Sequence, residues 1–67
     1  MSVARVTEIT AGSDKSFQDA VETGIARAAK TLKNVKGAWV QDQTVTVTDG
    51  RISEYRVNLK VTFILED

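Results

Sequence analysis

The alternation of apolar and polar residues over Ile52–Glu66 constrains the fold more than any other feature of the chain. Odd positions from 55 to 65 are apolar or aromatic, and even positions are polar except Ile64. Side chains alternate with period two along a strand, so this pattern predicts a strand with one buried face. The Asp49-Gly50 pair before it is typical of a tight hairpin turn. The Val- and Thr-rich segment Lys36–Thr48 is therefore predicted to be its hairpin partner.

Upstream, the segment Ser16–Asn34 predicts a long amphipathic helix. Its apolar and small residues recur at helical spacing and form one stripe, comprising Phe17, Ala20, Val21, Gly24, Ala28, Leu32 and Val35. Ser16 and Asp19 fit a capping pattern, in which the Ser hydroxyl accepts an amide hydrogen bond and the acid reaches back. The small residues in the stripe predict that a sheet or a neighbouring helix approaches closely.

The segment Val3–Thr10 is rich in β-branched residues and predicts a first strand, followed by a loop over Ala11–Lys15. The order β-α-β-β predicts an α+β fold in one domain spanning residues 1–67. Strands joined by a crossover helix run parallel, and the hairpin strand runs against both. We therefore expect a three-stranded antiparallel-type sheet, with the third strand central, packed on one long helix.

The chain has 67 residues and contains neither Cys nor His. A domain of about 60 residues buries only about 60% of the surface its unfolded chain exposes, so it is marginal alone. Disulfides, thiolate or imidazole metal sites and His-dependent nucleophilic catalysis are all excluded by composition. Self-association is the remaining device for stabilising such a small domain. An isolated three-stranded sheet also leaves two edges exposed, which favours assembly.

The charge pattern narrows the range of partners. Nine basic and nine acidic residues give zero net charge, without a basic run. The electrostatic footprint of a nucleic-acid binder is therefore missing. No apolar run approaches the roughly 20 residues of a membrane span, and residues 1–5 do not resemble a signal peptide. We expect a soluble, cytoplasmic protein with no nucleic-acid or membrane partner.

Catalytic patterns are also missing from the sequence. No Gly-rich phosphate loop or calcium-loop spacing is present, and no spacing specifies Asp42 and Glu54 as a carboxylate pair. We therefore expect no catalytic residues and no enzyme activity. A cation bound between subunits stays open as an alternative.

Trp39, the only Trp, marks the candidate ligand site. Strict period-two alternation predicts that Gly37, Trp39, Gln41 and Gln43 share one face of the second strand, with Asp42 adjacent. An aromatic plane flanked by amides suits a flat heterocycle, through stacking and edge hydrogen bonds. The alternative is that Trp39 fills the core or a subunit interface, which physical reasoning alone favours because ligand sites are few per protein.

A series of short stretches, taken in order, carries a family resemblance: Val6–Ile9, Gly12-Ser13, Ser16–Val21, Ile25–Leu32, Asn34-Val35, Asp49-Gly50, and Tyr55 through Phe63. Together they cover nearly the whole chain and resemble the dodecin family. The resemblance implies a β-α-β-β subunit in a hollow homododecamer. It also implies a protein that stores or sequesters flavin (FMN, riboflavin or FAD) without turnover.

The resemblance further implies a second-strand Trp that stacks on the flavin and a third-strand Gln that binds its pyrimidine edge. Counted from the shared motifs, those positions hold Gly37 and Arg56, and Trp39 follows two residues later on the same face. The candidate ligand residues are thus Gly37, Trp39, Gln41, Asp42, Gln43 and Arg56, with flavin affinity altered or weakened. The alternative is a flavin-free assembly with a structural or calcium-type ion-binding role.

Overall fold

The computed structural model describes residues 3–65. Its elements are β1 (Val3–Ser13), α1 (Phe17–Thr31), β2 (Val35–Thr48) and β3 (Arg51–Leu65). The sheet has the order β1-β3-β2, and both outer strands run antiparallel to β3. The predicted β-α-β-β architecture with a central third strand is confirmed. The predicted last residue of that strand, Glu66, lies outside the described residues.

The start of α1 follows the predicted capping pattern in part. Ser16 is the N-cap, and its hydroxyl accepts a hydrogen bond from the Asp19 amide at 2.9 Å. The Asp19 carboxylate, however, accepts a hydrogen bond from the Ser13 hydroxyl at 2.6 Å. It therefore ties the helix to the end of β1. No helix in residues 3–65 is long and apolar enough to cross a membrane.

The helix ends at Thr31, before the predicted end at Asn34. Leu32 is already extended (φ −105°), although its amide still donates to the Ala28 carbonyl. Asn34 then has φ 62°, a left-handed conformation that Asn tolerates better than most residues. The apolar stripe continues past this turn because Val35 packs on the same core from the start of β2.

The small residues of α1 let the sheet approach closely, as predicted. Ala20, Gly24 and Ala28 are buried. A Cβ atom at Gly24 would lie 2.9 Å from the Ala11 Cβ and 3.2 Å from the Leu59 Cδ1. On the facing side, β3 supplies the largest fully buried side chains among the described residues: Leu59, Val57 and Val61.

The first strand is longer than predicted. Ala11, Gly12 and Ser13 pair with β3, so the predicted loop over Ala11–Lys15 begins only after Ser13. Their small, partly polar side chains break the strand pattern, but the ladder to β3 satisfies their backbone groups. A Cβ atom at Gly12 would lie 2.7 Å from the Glu54 Oε2, the end of a flexible side chain that would have to move aside.

The hairpin turn is formed by two left-handed residues, Asp49 (φ 53°) and Gly50 (φ 76°), as the Asp-Gly pair predicts. Phe17, the first residue of α1, packs edge-on against Tyr55 with 5.0 Å between ring centroids. Residues 46–53, which we call the hairpin arm, continue beyond this contact. The molecule is therefore elongated, at 51 × 19 × 13 Å. Its radius of gyration is 13.8 Å, against about 11 Å for a compact chain of this length.

Candidate functional site

The face of the sheet turned away from α1, which we call the open face, carries the candidate ligand residues. Residues directly opposite each other in an antiparallel ladder point to the same face, so the strand register arranges them in rows. In the order β2, β3, β1, four successive rows are Gly37, Thr62, Val6; then Trp39, Lys60, Glu8; then Asp42, Asn58, Thr10; then Thr44, Arg56, Gly12.

A β-bulge in β2 decides which side chains join Trp39. The register runs regularly from Gly37 to Val40, and then shifts so that Asp42 lies opposite Asn58. Gln41 is the extra residue of the bulge. The prediction of a shared face is therefore confirmed for Gly37 and Trp39, but it is wrong for Gln43, which lies opposite the buried Val57. Asp42 takes the place on the open face that strict alternation gives to Gln41.

Trp39 itself is 50% exposed on the open face. The Lys60 Nζ lies 5.6 Å from the centre of its ring, within the range of a cation–π interaction. Trp39 is thus no part of the core between helix and sheet. Of the two alternatives to a ligand platform, a core role is excluded within the chain and a subunit contact stays open.

Next to Trp39, a chain of hydrogen bonds crosses all three strands. The Thr10 hydroxyl donates to the Asn58 Oδ1 at 2.7 Å, and the Asn58 Nδ2 donates to the Asp42 Oδ1 at 2.6 Å. Neither Thr10 nor Asn58 is among the residues that sequence reasoning selected. The alternation of β3 does place Asn58 on the face of Arg56 and Lys60, but only the register joins it to Asp42 and Thr10.

Arg56 lies apart from Trp39. It stands opposite Thr44, two rows from Trp39, which corresponds to roughly 13 Å along β3 at about 3.3 Å per residue. Its Nε donates to the Glu54 Oε1, and both side chains are partly exposed. The structure therefore brings Gly37, Trp39 and Asp42 together, and it does not bring Arg56 to them.

Two grooves among the described residues lie on the helix side of the sheet. One groove of about 530 Å³ runs between α1 and β1, and another of about 310 Å³ lies between α1 and β2. Neither is lined by Trp39, Asp42 or Arg56. Among residues 3–65, no three acidic side chains are grouped so that they could hold a metal ion.

The comparisons with known proteins agree with this geometry. The sequence model of the Dodecin family matches residues 3–66. A curated dodecin of Thermus thermophilus is 31% identical over 65 residues, covering 97% of this chain and 94% of that protein. The solved dodecin of Streptomyces davaonensis superposes with a TM-score of 0.94 at 33% identity, covering 98% of this chain and 97% of that one.

A further solved relative is the calcium-chelating antigen calcium dodecin of Mycobacterium tuberculosis, which has a calcium-binding site. It superposes with a TM-score of 0.83 at 29% identity, covering 96% of this chain and 91% of that one. The family match spans nearly all of the described residues. The β-α-β-β subunit and the similarity to curated and solved dodecins agree with it. The chain belongs to the dodecin family.

Proposed function

We propose that the chain is the subunit of a non-enzymatic homododecamer that binds and stores a planar aromatic ligand of the flavin type on Trp39. The observation that carries this proposal is the half-exposed indole on the open face, with polar side chains in the next row. Aromatic rings placed beside a few polar groups are typical of sites for flat heterocycles. The family membership supports flavin as the ligand to test.

The exposed apolar surface supports assembly. Eight large hydrophobic side chains of the described residues are exposed, namely Val3, Val6, Trp39, Val40, Val45, Val47, Ile52 and Leu65. They lie along the whole length of an elongated sheet, including the hairpin arm. Exposed apolar patches of this extent mark interaction surfaces. A hollow dodecamer covers them with neighbouring copies and supplies the second wall that the open face needs to enclose a ligand.

Flavin affinity is expected to be weaker here than where Trp and Gln stand at the positions of Gly37 and Arg56. A Cβ atom at Gly37 would have no neighbour within 4 Å, and Arg56 binds Glu54. Aromatic stacking contributes roughly 0.5–1.5 kcal/mol, and an unsatisfied polar group costs about 1–3 kcal/mol. The two effects correspond to about one to three powers of ten in dissociation constant.

Sedimentation and a flavin titration test the proposal together. We expect a dodecamer at micromolar concentration, and quenching of added riboflavin and FMN fluorescence. Trp39→Ala should abolish the quenching, whereas the matched control Gln43→Ala should retain it, because Gln43 lies opposite Val57 on the helix side. A stable monomer or dimer would contradict the assembly, and equal quenching by Trp39→Ala would contradict the site.

The calcium-binding relative favours one second candidate, a flavin-free assembly that binds calcium. In that case the calcium ligands cannot be a group of three acidic side chains within residues 3–65 of one chain, because the structure contains no such group there. Calorimetric titration of the assembled protein with calcium separates the two candidates. Calcium binding without any flavin quenching would favour the second.

A further inference from the structure

The row next to Trp39 presents a hydrogen-bond donor beside an acceptor, in a fixed orientation. The Asp42 carboxylate can only accept a hydrogen bond, so the Asn58 Nδ2 points towards it and the Asn58 Oδ1 accepts the Thr10 hydroxyl hydrogen. The amide nitrogen carries two hydrogens, and the carboxylate has two oxygens. After their mutual hydrogen bond, one amide hydrogen and one carboxylate oxygen keep the capacity to bind a ligand. This pair exists because the bulge at Gln41 places Asp42 opposite Asn58.

We propose that Asn58 and Asp42 form the edge that recognises the ligand stacked on Trp39, and that the ligand is a planar heterocycle with a carbonyl next to a ring N–H. This inference rests on the proposed function, because it assumes that Trp39 is the stacking platform. The Asn58 amide donates to the ligand carbonyl, and the Asp42 carboxylate accepts from the ring N–H. The pyrimidine edge of an isoalloxazine and other cyclic imides or lactams have this chemistry.

Distances along the sheet fit the assignment. Lys60, whose row contains Trp39, and Asn58 are two residues apart on β3, or about 6.7 Å at 3.3–3.4 Å per residue. A fused-ring heterocycle lying on the indole spans this distance, so its edge reaches the adjacent row. The Lys60 ammonium lies over the indole ring, which is nevertheless 50% exposed, so part of the ring surface remains for stacking.

Arg56 is one row further from Trp39 than Asn58 is, and it already binds Glu54. Within one chain, a ligand centred on Trp39 therefore meets Asn58 and Asp42 before it meets Arg56. Counting from the motifs shared with the family places the recognising side chain at Arg56, whereas Asn58 is the β3 residue in the row next to Trp39.

Lumiflavin and 3-methyllumiflavin, which lacks the ring N–H, provide the test on the assembled protein. Asp42→Asn and Asn58→Leu should each weaken lumiflavin binding about tenfold, the effect of one hydrogen bond. Arg56→Met and the control Gln43→Ala should stay within about twofold of the parent. The parent should bind 3-methyllumiflavin about tenfold more weakly than lumiflavin, and Asp42→Asn should bind the two alike. Sedimentation of each variant checks that it is assembled.

The outcomes separate this inference from the proposed function. If lumiflavin does not bind the parent, or binds Trp39→Ala equally well, the proposed function fails and this inference fails with it. If Trp39→Ala loses binding while Asp42→Asn and Asn58→Leu keep it, only the assignment of the edge is overturned. A loss confined to Arg56→Met would also overturn it. Should Asn58→Leu not assemble, the comparison of the two lumiflavins on the parent and on Asp42→Asn decides alone.

Discussion

Two neighbouring strands of one sheet, β3 and β2, differ sharply in burial. On the helix side, Leu59 and Val57 of β3 are 0% and 1% exposed. Their register partners on β2 are Val40, which is 40% exposed, and Gln43, which is also exposed. The helix lies over β1 and β3 and barely contacts β2. An apolar residue that points to the helix side of the sheet is therefore buried only where α1 covers its strand.

The difference teaches how the chain divides its tasks. The strand β3 and the helix form the core of the monomer, and β2 contributes few buried side chains to it. The strand with the fewest buried side chains therefore carries Trp39 and Asp42. Side chains on β2 are thus available to a ligand or a neighbouring copy without loss of the core.

The largest difference is expected between truncations of Leu59 and Val40, which lie opposite each other on the helix side of the sheet. Leu59→Ala should lower the free energy of unfolding by about 2–5 kcal/mol, because a fully buried side chain leaves a cavity. Val40→Ala, directly opposite, should cost about 1 kcal/mol or less, because Val40 remains 40% exposed. Urea unfolding measures both. Equal costs would mean that β2 is covered as completely as β3.

A smaller effect is expected from adding one methyl group in each region. Gly24→Ala should destabilise the fold by up to about 2 kcal/mol, because the new Cβ would lie 2.9 Å from the Ala11 Cβ. Overpacking costs typically 1–3 kcal/mol, and the better helix propensity of Ala offsets about 1 kcal/mol of it. Gly37→Ala on β2 meets nothing within 4 Å and should leave stability unchanged or slightly raised. Thermal unfolding of the two variants that showed the reverse order would contradict the assigned packing.

An effect of similar size is expected at the tip of the hairpin arm, where no core contact is involved. Gly50→Val should cost about 1–2 kcal/mol, because a β-branched residue is strained at φ 76°. Asp49→Asn is the matched control and should be neutral, since Asn also tolerates the left-handed region. Both are measured by thermal unfolding. Unchanged stability of Gly50→Val would show that the turn relaxes to another conformation.

Most of the fold follows from local patterns in the sequence. The alternation of β3, the Asp49-Gly50 turn and the small-residue stripe of α1 each act through contacts that residue type and spacing determine. The early end of α1 and the extension of β1 to Ser13 were not predictable in this way. The extension of β1 depends on pairing with β3, which stabilises a strand conformation in a segment whose own composition suggests a loop. The end of α1 depends on β2, which begins at Val35 because Val35 pairs with Phe63 of β3.

The face on which each side chain of β2 lies could be predicted from the sequence only as far as Val40. Gly37 and Trp39 share a face because the register between them is regular. Beyond Val40 the bulge reverses which residues of β2 point to the open face. The sequence has no Gly or other local feature at Gln41 that would predict a bulge. Asn58 was not selected, because its importance comes from partners on two other strands.

The bulge at Gln41 also affects how relatives of this chain should be aligned. A relative of the same length in which β2 passed this point without a bulge, with the extra residue accommodated nearer the hairpin turn, would follow strict alternation without a change of topology. From that point to the next register shift, the residues of β2 would exchange faces, and Asp42 would leave the row of Asn58. Two homologues with the same residue in an alignment column can therefore present it on opposite sides of the sheet. Residues of β2 should be compared by the β3 partner they face, because column position alone does not preserve the chemistry of the open face.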